Sequence, residues 1–448
     1  MLKKIALVLV FILFSAKMSM GQRIVTLNQA MNISQKLMDV SRYEEALDIL
    51  KNFHYDIDTE QSTKYEIERL FLIGECLTNL QRYDEAIALY QKLLDYDNKL
   101  TRIRIELGNL YALKGEWYRA EKQFKIASAD DIPADTKEYL NFQRYFSRKN
   151  RKWNAWFSFG AAPDNNFNNA IGGQQCIDTI FGILCRDLEK PKKAMGLEIS
   201  GGGNYEFRIA DGIKFKTELN ANYDNYNIEG EDDKKEKDYD SISTTLSAGP
   251  RFSFYNVDMW LAGYYTKGWG GYRPFYDRYG VKLNTSFDFS KSYIYLNNRL
   301  SKLSYDDYDI ETDTYNFDIG YNYNFTSSLF ATVRYGYENN QSTNFENYRY
   351  YYGIDLGYEF ENGLGVELSY TIQDTKYKDS AYYIQHLTIE KLKEHDMIDS
   401  YSISLSDRHI NIFGFTPIVT FTKEEHKSNI ELKNFNKNLV SVSLSKRF

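Results

Sequence analysis

Cysteine is scarce in this chain, with three among 448 residues, and histidine is nearly as rare with five. Cys176 and Cys185 stand nine positions apart, a spacing that suits neither a redox dithiol nor a zinc knuckle. Long apolar runs are scarcer still. After residues 5–14 none is long enough to cross a bilayer as a helix, and the mean hydropathy is −0.55. That excludes a helical membrane protein but not a barrel, whose strands hide their hydrophobicity by alternating faces. Positive charge is not in excess: 55 Lys and Arg stand against 62 Asp and Glu, for a net −7. A nucleic-acid partner, which calls for a basic face, is not expected. No phosphate-binding loop is present. No serine sits in a nucleophile elbow with a matched His and Asp, so the chain is not expected to be an enzyme. Asp164, Asn165, Asn166, Asn168 and Asn169 lack the calcium-loop pattern and its final Glu, and are expected at a turn or strand end. His386, Glu390, Glu394 and His395 share an expected external loop, where any metal binding would be adventitious. Neither a metal nor a cofactor is expected, and residues 231–237 are expected to be a solvated loop tip.

What is present begins with a leader. Lys3 and Lys4 precede the short apolar run, and Ser19 and Gly21 offer small residues before a cleavage point. Residues 1–21 are expected to be a signal peptide. No Cys follows, so lipid anchoring of the mature N-terminus is not expected. An oxidising destination and a near partner make Cys176–Cys185 the disulfide candidate in an expected loop, and Cys76, in a helical pattern, a buried apolar residue.

Two periods divide the mature chain. Over residues 22–150 the pattern is helical. Leu72-Ile73-Gly74-Glu75 through Tyr83-Asp84-Glu85-Ala86 aligns with Glu106-Leu107-Gly108-Asn109 through Trp117-Tyr118-Arg119-Ala120. Gly74 and Gly108 lie 34 apart, as do Ala86 and Ala120. That is the tetratricopeptide period, and Arg42-Tyr43-Glu44-Glu45-Ala46 begins a third copy. Such an array presents a concave face for docking partners.

Over residues 151–448 the period becomes two. About fourteen alternating stretches begin near 153, 196, 213, 239, 257, 275, 292, 314, 329, 348, 364, 397, 415 and 438, as suits membrane strands of ten residues or slightly more. Tight turns are expected at 210–212, 256–258, 290–292, 326–328 and 361–363, and long external loops at 229–238, 305–313, 339–347 and 376–396. Short turns on one side and long loops on the other mark an outer-membrane barrel, and 16% aromatic content, with 39 Tyr, fits interfacial girdles. The fold class expected is α-helical tetratricopeptide repeats followed by a 14-stranded antiparallel transmembrane β-barrel. The terminal Phe448 suits recognition by the barrel-assembly machinery, although Lys446 departs from the usual apolar residue. Fourteen strands at ~4.8 Å spacing and ~40° tilt close a ring of about 28 Å backbone diameter, with a lumen of roughly 15–18 Å. A folded 100-residue domain, with a radius of gyration of about 13 Å, does not pass; an extended chain or hairpin does.

Three stretches resemble the surface lipoprotein assembly modifier (Slam) family. The first runs from Arg104 to Gly108, then Gly115 to Ala120, Phe124, Ile132 and Pro133. The second spans Trp153 to Ala170, including Pro163, Asp164, Asn166 and Asn169. The third is Gly414-Phe415-Thr416-Pro417, Ser428-Asn429, Asn436-Lys437-Asn438 and Phe448. The resemblance implies a translocator in a Gram-negative outer membrane, its N-terminal domain in the periplasm. It implies exported lipoproteins or secreted proteins as partners, with periplasmic chaperones and outer-membrane lipid. The alternative reading is a polysaccharide exporter, in which such repeats also precede a barrel.

Overall fold

The computed structural model describes residues 27–52, 60–171, 174–179, 182–230, 239–271, 273–306, 308–342, 345–385, 388–407, 409–410 and 412–447. The expected leader, the charge run 231–237, Tyr272, His386 and Phe448 lie outside the described residues. The chain divides into two compact units, Met1–Tyr90 and Gln91–Phe448.

Helices α1 (Leu27–Asp39), α2 (Tyr43–Asn52), α3 (Glu60–Asn79), α4 (Tyr83–Tyr96), α5 (Thr101–Leu113), α6 (Trp117–Ala127) and α7 (Ala134–Asn150) are connected mostly by short turns. One capping device recurs. Ser41, Gln81 and Gly115 take positive φ of 59°, 61° and 76° after α1, α3 and α5. The next amide in each turn, of Arg42, Arg82 and Glu116, donates 2.8 Å to the carbonyl five residues back. That closes the helix end by tying off carbonyls left without intrahelical partners. The helix that follows opens with an ion pair three residues apart, Arg42–Glu45, Arg82–Glu85, or with reversed charges Glu116–Arg119.

The small residues 34 apart have a shared packing reason. A Cβ on Gly74 would stand 2.2 Å from the Tyr90 ring, and one on Gly108 would stand 2.5 Å from the Phe124 ring. Both rings are buried, so each glycine admits the aromatic of the next helix at backbone distance. Cys76 lies fully buried among these helices, and burial pushes its thiol up to about 11.

The second unit contains a closed antiparallel barrel. Among the described residues its fourteen strands are β1 (Trp153–Asp164), β4 (Ala194–Ala210), β5 (Ile213–Ile228), β6 (Ser241–Ser253), β7 (Val257–Gly270), β8 (Arg273–Asp288), β9 (Ser292–Tyr305), β10 (Tyr308–Asn324), β11 (Leu329–Ser342), β12 (Glu346–Glu359), β13 (Leu364–Gln385), β14 (Thr388–Asp407), β15 (Thr416–Ser428) and β16 (Phe435–Arg447). Each pairs with its neighbours in chain order, and β1 closes the ring between β4 and β16. Leu219, Leu261, Leu300, Ile354, Ile403 and Val442 face outward and are 46–55% exposed. An apolar belt of this kind is stable against hydrocarbon and costly in water. Aromatic pairs border it. Phe207–Phe215 (5.3 Å) and Tyr358–Phe360 (4.7 Å) stand toward the short-turn end, and Tyr337–Tyr350 (5.4 Å) toward the other.

Several expectations need correction. The polar stretches 305–313, 339–347 and 376–396 are mostly strand rather than loop. β9 runs to Tyr305 and β10 starts at Tyr308, while β13 and β14 extend for 22 and 20 residues as a ribbon. The ladder outlasts the apolar alternation because the ribbon is held by polar side chains rather than by a hydrophobic side, in pairings such as Tyr383–Glu394 (2.8 Å). The turn expected at 256–258 lies at 254–256, with Val257 already in β7. Cys176 and Cys185 sit not in a loop but opposite each other on a hairpin, β2 (Gln174–Thr179) and β3 (Gly182–Asp187), joined by a disulfide.

Candidate functional site

Within the second unit, the segment 91–150 is seated on the rim at the short-turn end and touches five tight turns and the longer connection between β14 and β15. Lys149 pairs with Asp211 between β4 and β5 (2.8 Å), and Arg148 donates to the Tyr255 carbonyl between β6 and β7 (3.0 Å). Arg144 donates to the Phe289 carbonyl between β8 and β9 (3.2 Å). The Asp130 carboxylate accepts from the Ser327 amide between β10 and β11 (3.0 Å). Lys99 pairs with Glu361 between β12 and β13 (2.6 Å), and Asp95 lies 4.0 Å from His409 between β14 and β15. Arg447 on the last strand donates to the Tyr118 hydroxyl (3.0 Å). Outside the wall, hydrogen bonding to Lys149 holds the Asp211 carboxyl below its ordinary range.

The attachment is strongest where α7 runs into β1. Arg144 and Arg148 both pair with Asp288; Arg148 also reaches Asp258 and Glu121, each at 3.4 Å. Asp258 continues to Arg251 (3.1 Å), Arg251 to Glu206 (2.5 Å), and Glu206 to Lys214 (3.0 Å). The Lys214 ammonium then donates to the carbonyls of Arg148 (3.0 Å) and Arg151 (2.8 Å). A cation therefore ties off carbonyls at the C-terminus of α7, where helix geometry leaves them unpaired and the dipole is negative. Most of these side chains are buried, where an ion pair stands only as part of such a hydrogen-bonded network.

Beneath α6 the lumen opens into a cavity of about 770 Å³. Its wall is polar and aromatic: amides such as Asn154, Asn220 and Asn284 alternate with Trp156, Trp260 and Tyr293. α6 contributes Lys122 and Lys125 to this cavity. Burial pushes the Lys125 ammonium below its ordinary range, with the Asp288 carboxylate opposing the shift.

The residues of the second and third stretches that carry the family resemblance gather at both ends of the junction between β1 and β16. At the hairpin end, the Asp164 carboxylate accepts from the Asn166 amide (2.8 Å), and Asn166 donates to the Asn436 carbonyl (3.2 Å). Asn165 accepts from the Asn438 amide (2.8 Å), and Asn168 from that of Lys192 (2.9 Å). Asn169 takes a positive φ of 51° in the same turn. Asn429 accepts from the His395 amide (2.9 Å) and donates to the Lys393 carbonyl (2.8 Å), while the Ser428 hydroxyl accepts from Ile430 (3.0 Å). At the short-turn end, Gly414 (φ 87°) permits a tight approach to Lys446, and Pro417 stands opposite Leu444. Between these ends the ladder runs from Trp156 opposite Arg447 to Ala161 opposite Val442. It then skips to Asp164 opposite Leu439. Pro163 lies in the gap and has no amide hydrogen to donate.

The sequence did not single out Arg148, Asp258, Asp288, Lys125 or Trp260. A faint signal existed in Arg144 and Arg148, four apart on the helix entering the barrel, with Asp258 and Asp288 each beside a tight turn.

The sequence profile described as surface lipoprotein assembly modifier matches residues 153–448. No curated protein matches the chain. Among solved structures, PcrH from Pseudomonas aeruginosa is similar at 17% identity over 29% of this chain and 96% of its own, with a TM-score of 0.24. A structure described as a bacterial polysaccharide outer membrane secretin shows 10% identity over 66% of this chain and 98% of its own, at 0.34. A Pseudomonas aeruginosa FadL homologue shows 6% identity over 66% and 90%, at 0.39.

Proposed function

Because the chain belongs to the surface lipoprotein assembly modifier family, we propose that it is an outer-membrane translocator delivering lipoproteins, or related secreted proteins, from periplasm to cell surface. The observation that carries this reading is the family match over residues 153–448, which coincide with a closed barrel around a polar lumen. In this account residues 1–21 are removed, residues 22–150 form the periplasmic repeat domain, and residues 151–448 form the translocating barrel. The short-turn end faces the periplasm and the β13–β14 ribbon the exterior. Cargo meets the repeat domain, with periplasmic chaperones keeping it unfolded. It crosses the lumen extended or as a hairpin and folds outside, where folding supplies direction.

An acyl anchor is costly in an aqueous lumen. The interrupted ladder between β1 and β16 offers a seam through which the anchor stays in the bilayer while the polypeptide crosses. The test is co-expression with a lipoprotein in a Gram-negative host that lacks such a system. Protease added to intact cells should digest the lipoprotein only where this chain is present. Equal protection with and without it overturns the reading.

A further inference from the structure

The cavity beneath α6 holds three unmatched groups. Trp260 is only 6% exposed, yet its indole N–H donates to nothing, and the buried side-chain carbonyl of Asn154 accepts nothing. A buried donor or acceptor left this way costs free energy that a ligand's complementary atom removes. The indole is not loose. The Lys216 and Lys282 ammoniums stand 3.7 Å and 4.2 Å from its ring centroid, and both turn toward Glu218, at 2.7 Å and 3.5 Å. Two cations against its π system fix its plane in the cavity wall, with the N–H buried and unpartnered. The third group is Lys125. Its ammonium lies 5.0 Å from the Tyr293 ring centroid, and among the described residues no carboxylate lies within 4.0 Å of it.

We propose that this cavity binds an extended acidic peptide segment. A backbone carbonyl of the segment accepts from the Trp260 indole, a backbone amide donates to the Asn154 carbonyl, and an Asp or Glu side chain pairs with Lys125. A peptide backbone supplies a donor and an acceptor at every residue, which is what the wall lacks. The proposal rests on the export reading, from which it takes polypeptide as the material in the lumen. It adds that a cargo segment rich in Asp or Glu is the one held beneath the rim.

The test uses the full chain in detergent micelles and a short fluorescein-labelled peptide of Gly, Ser and Asp, followed by fluorescence anisotropy. Saturable binding is expected. Lys125→Gln should weaken it about tenfold, the worth of one charge-assisted hydrogen bond. A peptide with Ser in place of Asp should bind more weakly and be indifferent to Lys125→Gln. Trp260→Phe keeps an aromatic ring and removes the N–H, and should weaken both peptides alike. Circular dichroism of each variant confirms an intact barrel. Absence of saturable binding, or equal affinity of the natural chain and Lys125→Gln, overturns the proposal. So does a uronic-acid oligosaccharide that binds in a Lys125-dependent way where the peptide does not. Lipoprotein display on cells is scored separately: display without peptide binding sinks this site alone, and binding without display sinks the export reading alone.

Discussion

Arg148 on α7 and Asp288 at the end of β8 form an ion pair 140 residues apart in sequence, with side chains only 8% and 12% exposed. Their contact is the centre of the network that fastens the helical segment 91–150 to the barrel rim. Breaking a buried pair by removing one partner costs roughly 3–5 kcal/mol, and the low end applies because Arg144 still reaches Asp288. Arg148→Ala is expected to expose residues 91–150 to trypsin while the barrel stays protease-resistant. Unchanged cleavage would show that the network does not hold the segment.

Gly108 and Phe124 make a second testable contact. A methyl group on Gly108 would stand 2.5 Å from a ring that is fully buried and has nowhere to move. Overpacking of this kind costs about 1–3 kcal/mol. Gly108→Ala should lower the urea midpoint of the helical signal at 222 nm in the micelle-bound chain. The β-barrel transition should not move.

The Cys76 thiol, pushed up to about 11 by burial, is protonated throughout the neutral range. Only the thiolate is nucleophilic, so at pH 8 roughly one molecule in a thousand carries the reactive form. Iodoacetamide should leave Cys76 unmodified at pH 8 in the folded chain and label it fully in urea. Rapid labelling under native conditions would contradict the buried position.

The seam is tested by locking it. Ala161 and Val442 stand opposite one another on β1 and β16. A cysteine pair, Ala161→Cys with Val442→Cys, should oxidise to a bond across the junction. Export of a lipid-anchored cargo should then stop and resume on reduction, while an unlipidated version of the same cargo continues to cross. Uninterrupted export of the lipidated form with the seam locked refutes lateral passage of the anchor.

Much of this architecture is legible before folding, for physical reasons that also explain what is not. The 34-residue spacing of Gly74 and Gly108 shows because each repeat reuses one close approach of glycine to an aromatic ring. The barrel shows because one face of each strand meets hydrocarbon and the other meets water, so period two is written into the residues. Where β13 and β14 leave the apolar belt polar residues take both faces and the alternation lapses, although hydrogen bonding continues from Leu364 to Gln385. The rim network is invisible for a different reason. Lys99 and Glu361 are 262 residues apart, Arg148 and Tyr255 are 107 apart, and neither spacing has a period to detect. The Trp260 indole is legible only in three dimensions, because its meaning lies in what it does not touch.

We propose that this chain is the membrane component sufficient to carry a chaperone-held lipoprotein across. Purified chain inserted into liposomes, with a lipoprotein and its chaperone presented on the short-turn side, tests it directly. The account predicts that the lipoprotein becomes accessible to protease on the opposite side, and only in liposomes that contain the chain. Correctly inserted barrels that leave the lipoprotein where it started would contradict it.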